Sequence, residues 1–382
     1  MLFAPNALGQ GSGAGALGVG DNYMGFEIDF LPVGNGEKCG DAIALRFGNL
    51  FGHRDEQYIV TIDGGFRESG ELLIEHLNKY YNTSRIDLAI STHPDNDHVC
   101  GVEVLLEKLV VKRLWMHLPW NHTENIANMF QDGRVTDNSV SESLRESLET
   151  AYRIEKLARN NAIPIDEPFS GLKDISGLIT VLGPSESFFE KQLPYFRGTP
   201  VPKSASLVEQ AKYAVKEIIQ KVAESFSLET LDDDGETSAE NNTSTILLIT
   251  YGKDRLLFTG DAGIPALTDA ADFFEAGGDS FSNVNFFQIP HHGSKRNVGP
   301  TILDRIIGPK QYQDNPSKTA FISVTKDGKP KHPAKKVVNA FRRRGVAVYV
   351  TEGQSIRHSD NAPQRDGWVN LVPLPFYSEV EE

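Results

Sequence analysis

The chain has 382 residues, 39% of them hydrophobic, and a formal net charge of −14. That content supports a globular core, and the acidic balance disfavours binding nucleic acid by bulk electrostatics, although a local basic groove stays open. Two cysteines, Cys39 and Cys100, are too few for a disulfide framework, which favours a reducing compartment. Because we find no signal peptide and no apolar run near the ~18 residues that span a bilayer, we expect a soluble, cytoplasmic protein without a membrane partner.

The first part of the chain is predicted to be a flexible tail followed by a strand-rich cluster. Residues 1–22 are rich in Gly and Ala, which is typical of a tail. The predicted strands are "GFEIDFLPVG", "DAIALRFG", "QYIVTIDGG", "RIDLAI" and "KRLWMHLP". Helical spacing of apolar residues predicts helices in "ESGELLIEHLNKYYN" and "GVEVLLEKL".

The middle of the chain is predicted to contain two helical insertions, at about 121–165 and 184–240, outside the sandwich core. "SESLRESLETAYRIEKLARNNA" and "SLVEQAKYAVKEIIQKVAESF" have helical periodicity, and the strand "GLITVLGP" separates them. Residues 231–242 are acidic and are predicted to form a flexible loop.

The last part of the chain returns to strands. "STILLITYG" and "RLLFTGD" predict a hairpin, "VNFFQIPHHGS" predicts a strand entering a polar turn, and "TAFISVT", "KKVVNAFRRRG" and "VAVYVTEG" predict a strand–helix–strand unit. We expect the three arginines 342–344 to be solvated at a helix end, and residues 373–382 to form a frayed acidic tail. The two strand clusters predict two sheets covered by helices in a single domain, 23–372.

Polar side chains suited to metals follow three predicted strands. "STHPDNDHVCG" follows "IDLAI", Asp261 ends "RLLFTGD", and a His-His pair ends "FFQIP". Each signal alone also fits a polar turn, but together they predict a hydrolytic metal site, because imidazole and carboxylate suit Zn²⁺, Mn²⁺ or Fe²⁺. The candidate ligands are His93, Asp95, Asp97, His98, Asp261, His291 and His292.

Six segments in order resemble the metallo-β-lactamase superfamily, and more narrowly its soluble ComEC-like branch. They span about residues 24–360: "FLPVGNGEKCGDAIALRF", "TIDGG", "STHPDNDHVCG", "NNTSTILLITYG…LLFTGD", "IPHHGSKRN" and "KHPAKKVVNAFRRRGVAVYVTEG". The resemblance implies an α/β (α+β) fold, a four-layer αββα sandwich with one or two divalent ions, Mn²⁺ or Zn²⁺, at one edge.

The chain departs from the usual signature, which is His-x-His-x-Asp-His followed by a lone His, a lone Asp and a final His. Asp95 replaces the second histidine, a variant that the ComEC-like branch shares. Residues 178–250 contain no histidine, so the lone His has no equivalent, and Asn241 or Asn242 falls about where it would sit. We therefore expect one metal position to be weak, empty or filled by a harder ion than Zn²⁺.

Carried over from the family, the ligands divide into two positions. His93 and Asp95 belong to the oxygen-rich one. Asp97, His98 and the final histidine hold the other, and Asp261 bridges both. His292 is favoured as the final histidine, with His291 as the alternative or as its supporting partner.

Several further residues fit either a role near the site or ordinary structure. His332 could donate a proton to a leaving group, or simply precede a helix. Ser294, Lys295 and Arg296 could clamp a phosphate, or form a solvated turn.

Other residues near the motifs are more readily structural. His117 and His122 could line the pocket, although aromatic packing is favoured. Asp63 is expected to be a turn residue near the site, and Cys100 a packing residue.

These features favour a metal-dependent hydrolase, a phosphodiesterase or nuclease, that uses a metal-bound hydroxide held by Asp97 and its neighbours. Lys295 or His332 would then assist the leaving group. Two alternatives stay open: a hydrolase of a lactone, thioester or amide, and a catalytically weak scaffold that binds a protein partner through the insertions.

Overall fold

The structure is a computed structural model. It describes residues 24–34, 38–203, 221–311, 313–326, 328 and 331–381. The predicted tail 1–22 and most of the helix predicted in the second insertion lie outside these residues. Across the described ranges, none of the helices combines the length and the apolar character that a membrane crossing requires.

The first sheet has seven strands in the order β16-β1-β2-β3-β5-β7-β8. In chain order these are β1 (Met24–Phe30), β2 (Ile43–Asn49), β3 (Gln57–Ile62), β5 (Leu88–Ile90), β7 (Leu114–Trp115), β8 (Ile165–Asp166) and β16 (Ile356–Asp360). The pairings from β3 to β8 are parallel, so these strands end at the same edge of the sheet. A separate short pair joins β4 (Arg85–Ile86) to β6 (Val110–Val111).

The second sheet has six strands in the order β15-β14-β13-β12-β11-β9. They are β9 (Ile179–Gly183), β11 (Ile246–Tyr251), β12 (Asp254–Phe258), β13 (Phe286–Gln288), β14 (Lys318–Ile322) and β15 (Val346–Val350). Strands β11 and β12 form the predicted antiparallel hairpin, and β12 to β15 are parallel.

Helices cover the outer face of each sheet. They are α1 (Arg67–His76), α2 (Asn96–Lys108), α3 (Asp137–Ser147), α4 (Glu149–Asn160), α5 (Glu186–Gln192), α6 (Ala239–Asn242), α7 (Ile264–Ala276), α8 (Pro300–Ile306) and α9 (Lys335–Arg343). One buried cluster joins residues of the first sheet to those of α1, α2 and α4, and another joins residues of the second sheet to α7, α8 and α9. This arrangement is the predicted four-layer αββα sandwich.

Phenylalanines from both sheets fill the space between them. The ring of Phe30 in β1 lies 6.4 Å from that of Phe258 in β12 and 5.4 Å from that of Phe321 in β14. All three are almost fully buried, and burying one such side chain contributes roughly 1.5–3 kcal/mol. The packed interior fixes the two sheets against each other, and with them the edge at which the parallel strands end.

The insertions are less peripheral than the sequence predicts. Ile154 and Ala158, on the apolar side of α4, are completely buried in the cluster that contains α2. Helical periodicity gives the type of element but not its docking surface, so the sequence did not indicate that α4 packs in the helical layer of the first sheet. Residues 221–223, within the predicted second helix, form strand β10 (Lys221–Ala223) instead.

Two acidic segments that we expected to be loose make defined contacts. Asp233, in the acidic loop, accepts hydrogen bonds from the backbone N and Oγ1 of Thr301 at 3.1 and 2.6 Å. In the C-terminal segment, β17 (Glu379–Glu381) pairs with β10, and Val380 is 1% exposed. Hydrogen bonds to Thr301 hold the acidic loop, and strand pairing together with the buried Val380 holds the C-terminal segment.

The three consecutive arginines at the end of α9 are buried rather than solvated. Arg343 pairs with Glu224 at 3.0 Å, and Arg344 pairs with Glu229 at 2.8 Å. The guanidinium groups have left water because these carboxylates neutralise them. The partner acids lie more than a hundred residues away in sequence, so local charge pattern could not reveal them.

Candidate metal centre

The "STHPDNDHVCG" motif lies between β5 and α2, at the edge where the parallel strands end. Asp95 is the residue before α2, and the helix begins at Asn96, five residues earlier than the apolar pattern suggests. Asp97 and His98 therefore lie in the first turn of the helix, where Asp97 is half-buried and His98 is fully buried. The strand fixes His93, and the helix start fixes the remaining motif residues.

The second sheet supplies Asp261 and the histidine pair. Asp261 follows β12, after Gly260, whose φ of +49° lies in the left-handed region. His291 and His292 follow β13 and also have positive φ values, 48° and 56°. Two successive left-handed residues are rare outside glycine, so the tight turn carries backbone strain.

The imidazoles of both halves surround one carboxylate oxygen. From Oδ2 of Asp261, the Nε2 atom of His98 lies at 3.4 Å, that of His291 at 3.7 Å, that of His93 at 3.8 Å and that of His292 at 4.0 Å. The ligand atoms of Asp97, His98 and His292 also lie within 4.8 Å of one another. All of these separations suit atoms that share a cation.

Several inward-facing atoms have no hydrogen-bond partner among the described residues. They are Nε2 of His93, His98 and His292, and Oδ1 of Asp261. Leaving buried polar atoms unpaired costs roughly 1–3 kcal/mol each, so their concentration at one point is unfavourable without a further group. Nitrogen and carboxylate donors are those that transition-metal ions prefer, and the residues therefore fit one or two divalent ions.

The other nitrogen of each imidazole has a partner that fixes the ring. Nδ1 of His98 lies 2.8 Å from Oδ2 of Asp63, and Nδ1 of His292 lies 2.9 Å from the carbonyl oxygen of Ser323. An acceptor at Nδ1 places the proton there and leaves Nε2 as a lone pair directed at the site. Asp63 is the turn residue that the sequence predicts, and it also orients His98.

The remaining two rings are held in a similar way. Nδ1 of His93 lies 2.9 Å from Oγ1 of Thr92, and Nδ1 of His291 lies 2.9 Å from Oδ1 of Asn297. His291 is the more accessible of the pair, with 31% of its side chain exposed against 5% for His292. His291 and His292 thus both present Nε2 to Asp261.

Electrostatics within the centre favour a charged Asp261. Burial would raise its pKa, but the imidazoles of His291, His98 and His292 outweigh burial and hold the pKa well below its usual value. Burial also lowers the pKa of His292 to about 4, against the opposing charge of Asp261. An ionised carboxylate and a neutral imidazole are the forms that bind a metal.

The two asparagines in place of the lone histidine lie beside the centre. Asn241 Nδ2 is 3.2 Å from Nδ1 of His291, and the side-chain oxygens of Asn241 and Asn242 are buried without a partner among the described residues. An amide oxygen is an acceptable ligand for a hard ion. Oxygen donors are therefore available near the position that lacks a histidine.

The two carboxylate oxygens of Asp95 have different neighbours, His93 of the centre and Arg197, which the sequence did not point to. Its Oδ2 lies 3.8 Å from Nε2 of His93, while its Oδ1 lies 2.7 Å from Nη1 of Arg197. Arg197 follows α5 and also donates to the carbonyl of Pro94 at 3.3 Å. The second insertion thus reaches the motif loop.

Asp41 is a further residue near the centre that the sequence did not point to. Its Oδ2 accepts a hydrogen bond from Gln288 at 2.9 Å, and its ligand atom groups with those of His98 and Asp261. Burial raises its pKa to about 7. The signal was its place in "CGDAIALRF", a segment that carries the family resemblance.

The remaining candidate residues lie around this edge with different environments. The ring of His332 is centred 6.4 Å from that of His291 and 6.5 Å from that of His292, and burial lowers its pKa to about 4. Ser294 is buried, Lys295 is half-buried and Arg296 is exposed, directly after the histidine pair.

His117 and Cys100 have the packing environments that the sequence favours. The ring of His117 is centred 4.8 Å from that of Phe169 and 4.7 Å from that of Phe189. Cys100 is free, and burial raises the pKa of its thiol, which disfavours the reactive thiolate. His122 packs against the same phenylalanine rings and has acidic neighbours.

The αββα sandwich with metal-suited side chains at one edge defines the class of protein. The sequence profile of the metallo-beta-lactamase superfamily matches residues 54–307, so the chain belongs to that superfamily, as the motifs predict. Among curated proteins, ComE operon protein 3 of Bacillus subtilis (strain 168) is 22% identical over 268 residues, which are 70% of this chain and 24% of that protein. The chain thus spans about a quarter of the length of this relative, and the ComEC-like resemblance is confirmed.

Solved structures with a similar course of the chain have low sequence identity. Unliganded yeast PDE1 is 10% identical with a TM-score of 0.45, covering 87% of this chain and 99% of that one. A diphosphatase from the PhnP family is 8% identical with a TM-score of 0.36, covering 88% of this chain and 98% of that one.

Proposed function

We propose that the protein is a metal-dependent hydrolase of phosphodiester bonds, acting on a nucleotide or a short single strand of nucleic acid. The observation that carries the proposal is the convergence of four imidazole Nε2 atoms on Oδ2 of Asp261. Purely structural packing gives no reason to gather these groups, because Nε2 of His93, His98 and His292 has no hydrogen-bond partner among the described residues. Superfamily membership supports hydrolysis as the reaction class.

We assign the residues to two ion positions that share Asp261. Asp97, His98 and His292 would hold one ion, since their ligand atoms already lie within 4.8 Å of one another. His93 and Asp95 would hold the other, together with His291 or an asparagine oxygen. A bound divalent ion would lower the pKa of a water ligand towards ~7 and neutralise phosphate oxygens.

The choice of a phosphodiester rests on the oxygen donors at the His93 and Asp95 position and on cations near it. The ComEC-like resemblance points to nucleic acid as a substrate class, which is an argument by analogy. Arg197, beside Asp95, and Lys295, after the histidine pair, could neutralise non-bridging phosphate oxygens. The net charge of −14 disfavours tight, nonspecific binding of a duplex and leaves a small or single-stranded substrate.

His332 would act on the leaving group from the rim of the site. Its pKa of about 4 makes the ring neutral at pH 7, so it can donate one N–H hydrogen bond to a departing oxygen. Full proton donation would require a bound phosphate to raise that pKa. Nδ1 of His332 is buried without a partner among the described residues, which leaves it available for such a contact.

The test is a substrate and metal screen on chelator-stripped protein. Mn²⁺ or Zn²⁺ is restored, and bis-p-nitrophenyl phosphate, single-stranded DNA and a lactone are offered in parallel. We expect hydrolysis of a phosphodiester, with more activity in Mn²⁺ because oxygen donors favour the harder ion. Turnover of the lactone alone would overturn the substrate class, and failure to bind any ion would support a scaffold.

A further inference from the structure

A second group of metal-suited side chains lies away from the candidate centre and shares no residue with it. Nδ1 of His122 lies 3.8 Å from Oε1 of Glu186 and 3.9 Å from Oε1 of Glu190. The two glutamates are one helical turn apart on α5, so both carboxylates face the same ring. These three residues come from different insertions, 121–165 and 184–240.

The opposite nitrogen of His122 is fixed by a carboxylate. Nε2 lies 2.9 Å from Oε2 of Glu167, and that same oxygen accepts the backbone N–H of Leu118 at 2.9 Å. A carboxylate at Nε2 places the ring proton there and leaves Nδ1 as a lone pair directed at the glutamate pair. Metal-ligating histidines are usually held by this arrangement, and it is independent of the acidic pair itself.

The ring of His122 is also clamped sterically. It meets the rings of Phe169 and Phe189 edge-on, with centroids 5.3 and 5.4 Å away, and 11% of its side chain is exposed. The glutamates are 63% and 53% exposed, so an ion can reach them from solvent. A rigid nitrogen with two accessible carboxylates in front of it suits capture of a small cation.

The spacing matches ligands better than hydrogen bonds. An N–H to carboxylate hydrogen bond would measure about 2.7–3.2 Å, which is well below both separations. Donors placed around a tetrahedral Zn²⁺ at about 2.1 Å stand roughly 3.4 Å from one another. A small movement of the exposed glutamates would bring all three donors to one ion.

We propose that His122, Glu186 and Glu190 form an accessory Zn²⁺ site that joins the two insertions. This site goes beyond the proposed hydrolysis, since it holds α5 against the segment before α3 instead of meeting substrate. The competing occupant is a proton. Burial favours a neutral ring, but Glu167 and the other carboxylates outweigh burial and raise the pKa of His122.

The experiment counts zinc in three forms of the full chain. Chelator-stripped wild type, Glu186→Gln/Glu190→Gln and the matched control Glu142→Gln/Glu146→Gln are loaded with Zn²⁺ at pH 8, desalted and analysed for metal. The control pair has the same spacing and is exposed on α3, and it belongs to no ligand group among the described residues. Conservative changes at exposed positions are expected to leave the fold intact.

We expect wild type and the control to retain one more Zn²⁺ per chain than the Glu186→Gln/Glu190→Gln form. Zn²⁺ should also raise the Tm of wild type and of the control by more than it raises the Tm of the Glu186→Gln/Glu190→Gln form. Hydrolysis of bis-p-nitrophenyl phosphate should be the same in all three. Equal zinc content in all forms would overturn the site in favour of a proton on His122. An equal loss of zinc in the control would overturn the site, because the extra zinc would then be bound nonspecifically by surface carboxylates. The zinc count does not depend on hydrolysis, so failure of the proposed function would be seen separately.

Discussion

Asp63→Asn tests whether the carboxylate beneath the metal centre sets the orientation of His98. Asp63 is completely buried, and each of its oxygens is an acceptor. Oδ1 accepts the N–H of Thr92 at 2.8 Å, while Oδ2 meets Oγ1 of Thr92 at 2.7 Å and Nδ1 of His98 at 2.8 Å. An amide has one oxygen, so one of these donors must face an NH₂ group instead.

The expected effect has two parts. Leaving one buried donor unpaired costs roughly 1–3 kcal/mol in the free energy of unfolding. Loss of the partner that fixes a ligating histidine typically lowers metal affinity 10–100-fold, and we expect that loss at the position of Asp97, His98 and His292. The carboxylate of Asp63 also compensates part of the positive charge of an ion, whereas the amide of the Asp63→Asn variant does not.

The assay separates the two parts. Metal affinity is measured by competition with a chelator, and stability by urea unfolding of the stripped protein. Asp174→Asn is the matched control, because Asp174 is also buried and accepts the backbone N–H groups of Ser176 and Ile179 at 2.9 and 2.7 Å, in a turn outside the centre. The control should lose stability and keep metal affinity.

Unchanged affinity in Asp63→Asn, with a loss of stability like that of the control, would refute the reasoning. Asp63 would then be a turn residue without influence on His98, and the assignment of Nε2 as the metal-facing atom would lose its support. A loss of affinity in both variants would instead mean that general destabilisation weakens the site.

Three further outcomes are expected. Asp261→Asn should remove both ions and lower phosphodiester hydrolysis roughly hundredfold or more, measured by elemental analysis and kinetics, because Asp261 is the shared ligand in the proposed assignment. Arg197→Ala should weaken binding at the Asp95 position about tenfold and raise KM, while Arg197→Lys restores part of both effects, since Lys keeps the charge without the fork geometry. Asp29→Asn should destabilise the fold at pH 7 and progressively less below pH ~4, as measured by urea unfolding across pH. Burial would raise the pKa of Asp29, but His76 and Arg365 outweigh burial and hold that pKa below its unfolded value of ~3.9, so the stabilising contribution of Asp29 is present above that value and lost in acid.

The strand pattern and the motif order were enough to predict the sandwich and its metal-suited edge. Apolar runs identify the strands, and metal-suited side chains follow strands in both clusters, so Asp261 and the His-His pair are predicted to share one site with the motif. The structure brings them together around one carboxylate. This part of the site depends on local sequence and on the order of the motifs along the chain.

Features that depend on distant partners could not be predicted. Arg343 looks solvated in "FRRRG", and its burial follows from Glu224, which lies far away in sequence. Asp41 and Arg197 reach the centre from segments without a metal motif. The apolar face of α4 identifies a helix, but an equal pattern would suit a peripheral insertion or a core layer. Tertiary packing decides in each case.

The lone histidine of the family signature is absent from its expected place in the sequence, but the structure places a fourth imidazole in the centre. Residues 178–250 contain no histidine, yet four imidazoles meet Asp261, because positive φ values at His291 and His292 turn both rings towards it. If His291 serves the His93 and Asp95 position, each ion has two nitrogen ligands, one carboxylate of its own and the shared carboxylate.

That assignment predicts equal ligand sets where the sequence suggests one impoverished position. His291→Ala should then lose one ion per chain and retain the other, whereas His292→Ala should lose the ion held with Asp97 and His98. Elemental analysis of both variants, with His332→Ala as the neighbouring-ring control, distinguishes the cases. Full metal content in His291→Ala would assign this ring to its hydrogen bond with Asn297 and leave the His93 position to oxygen ligands, as expected for a weaker, harder-ion site.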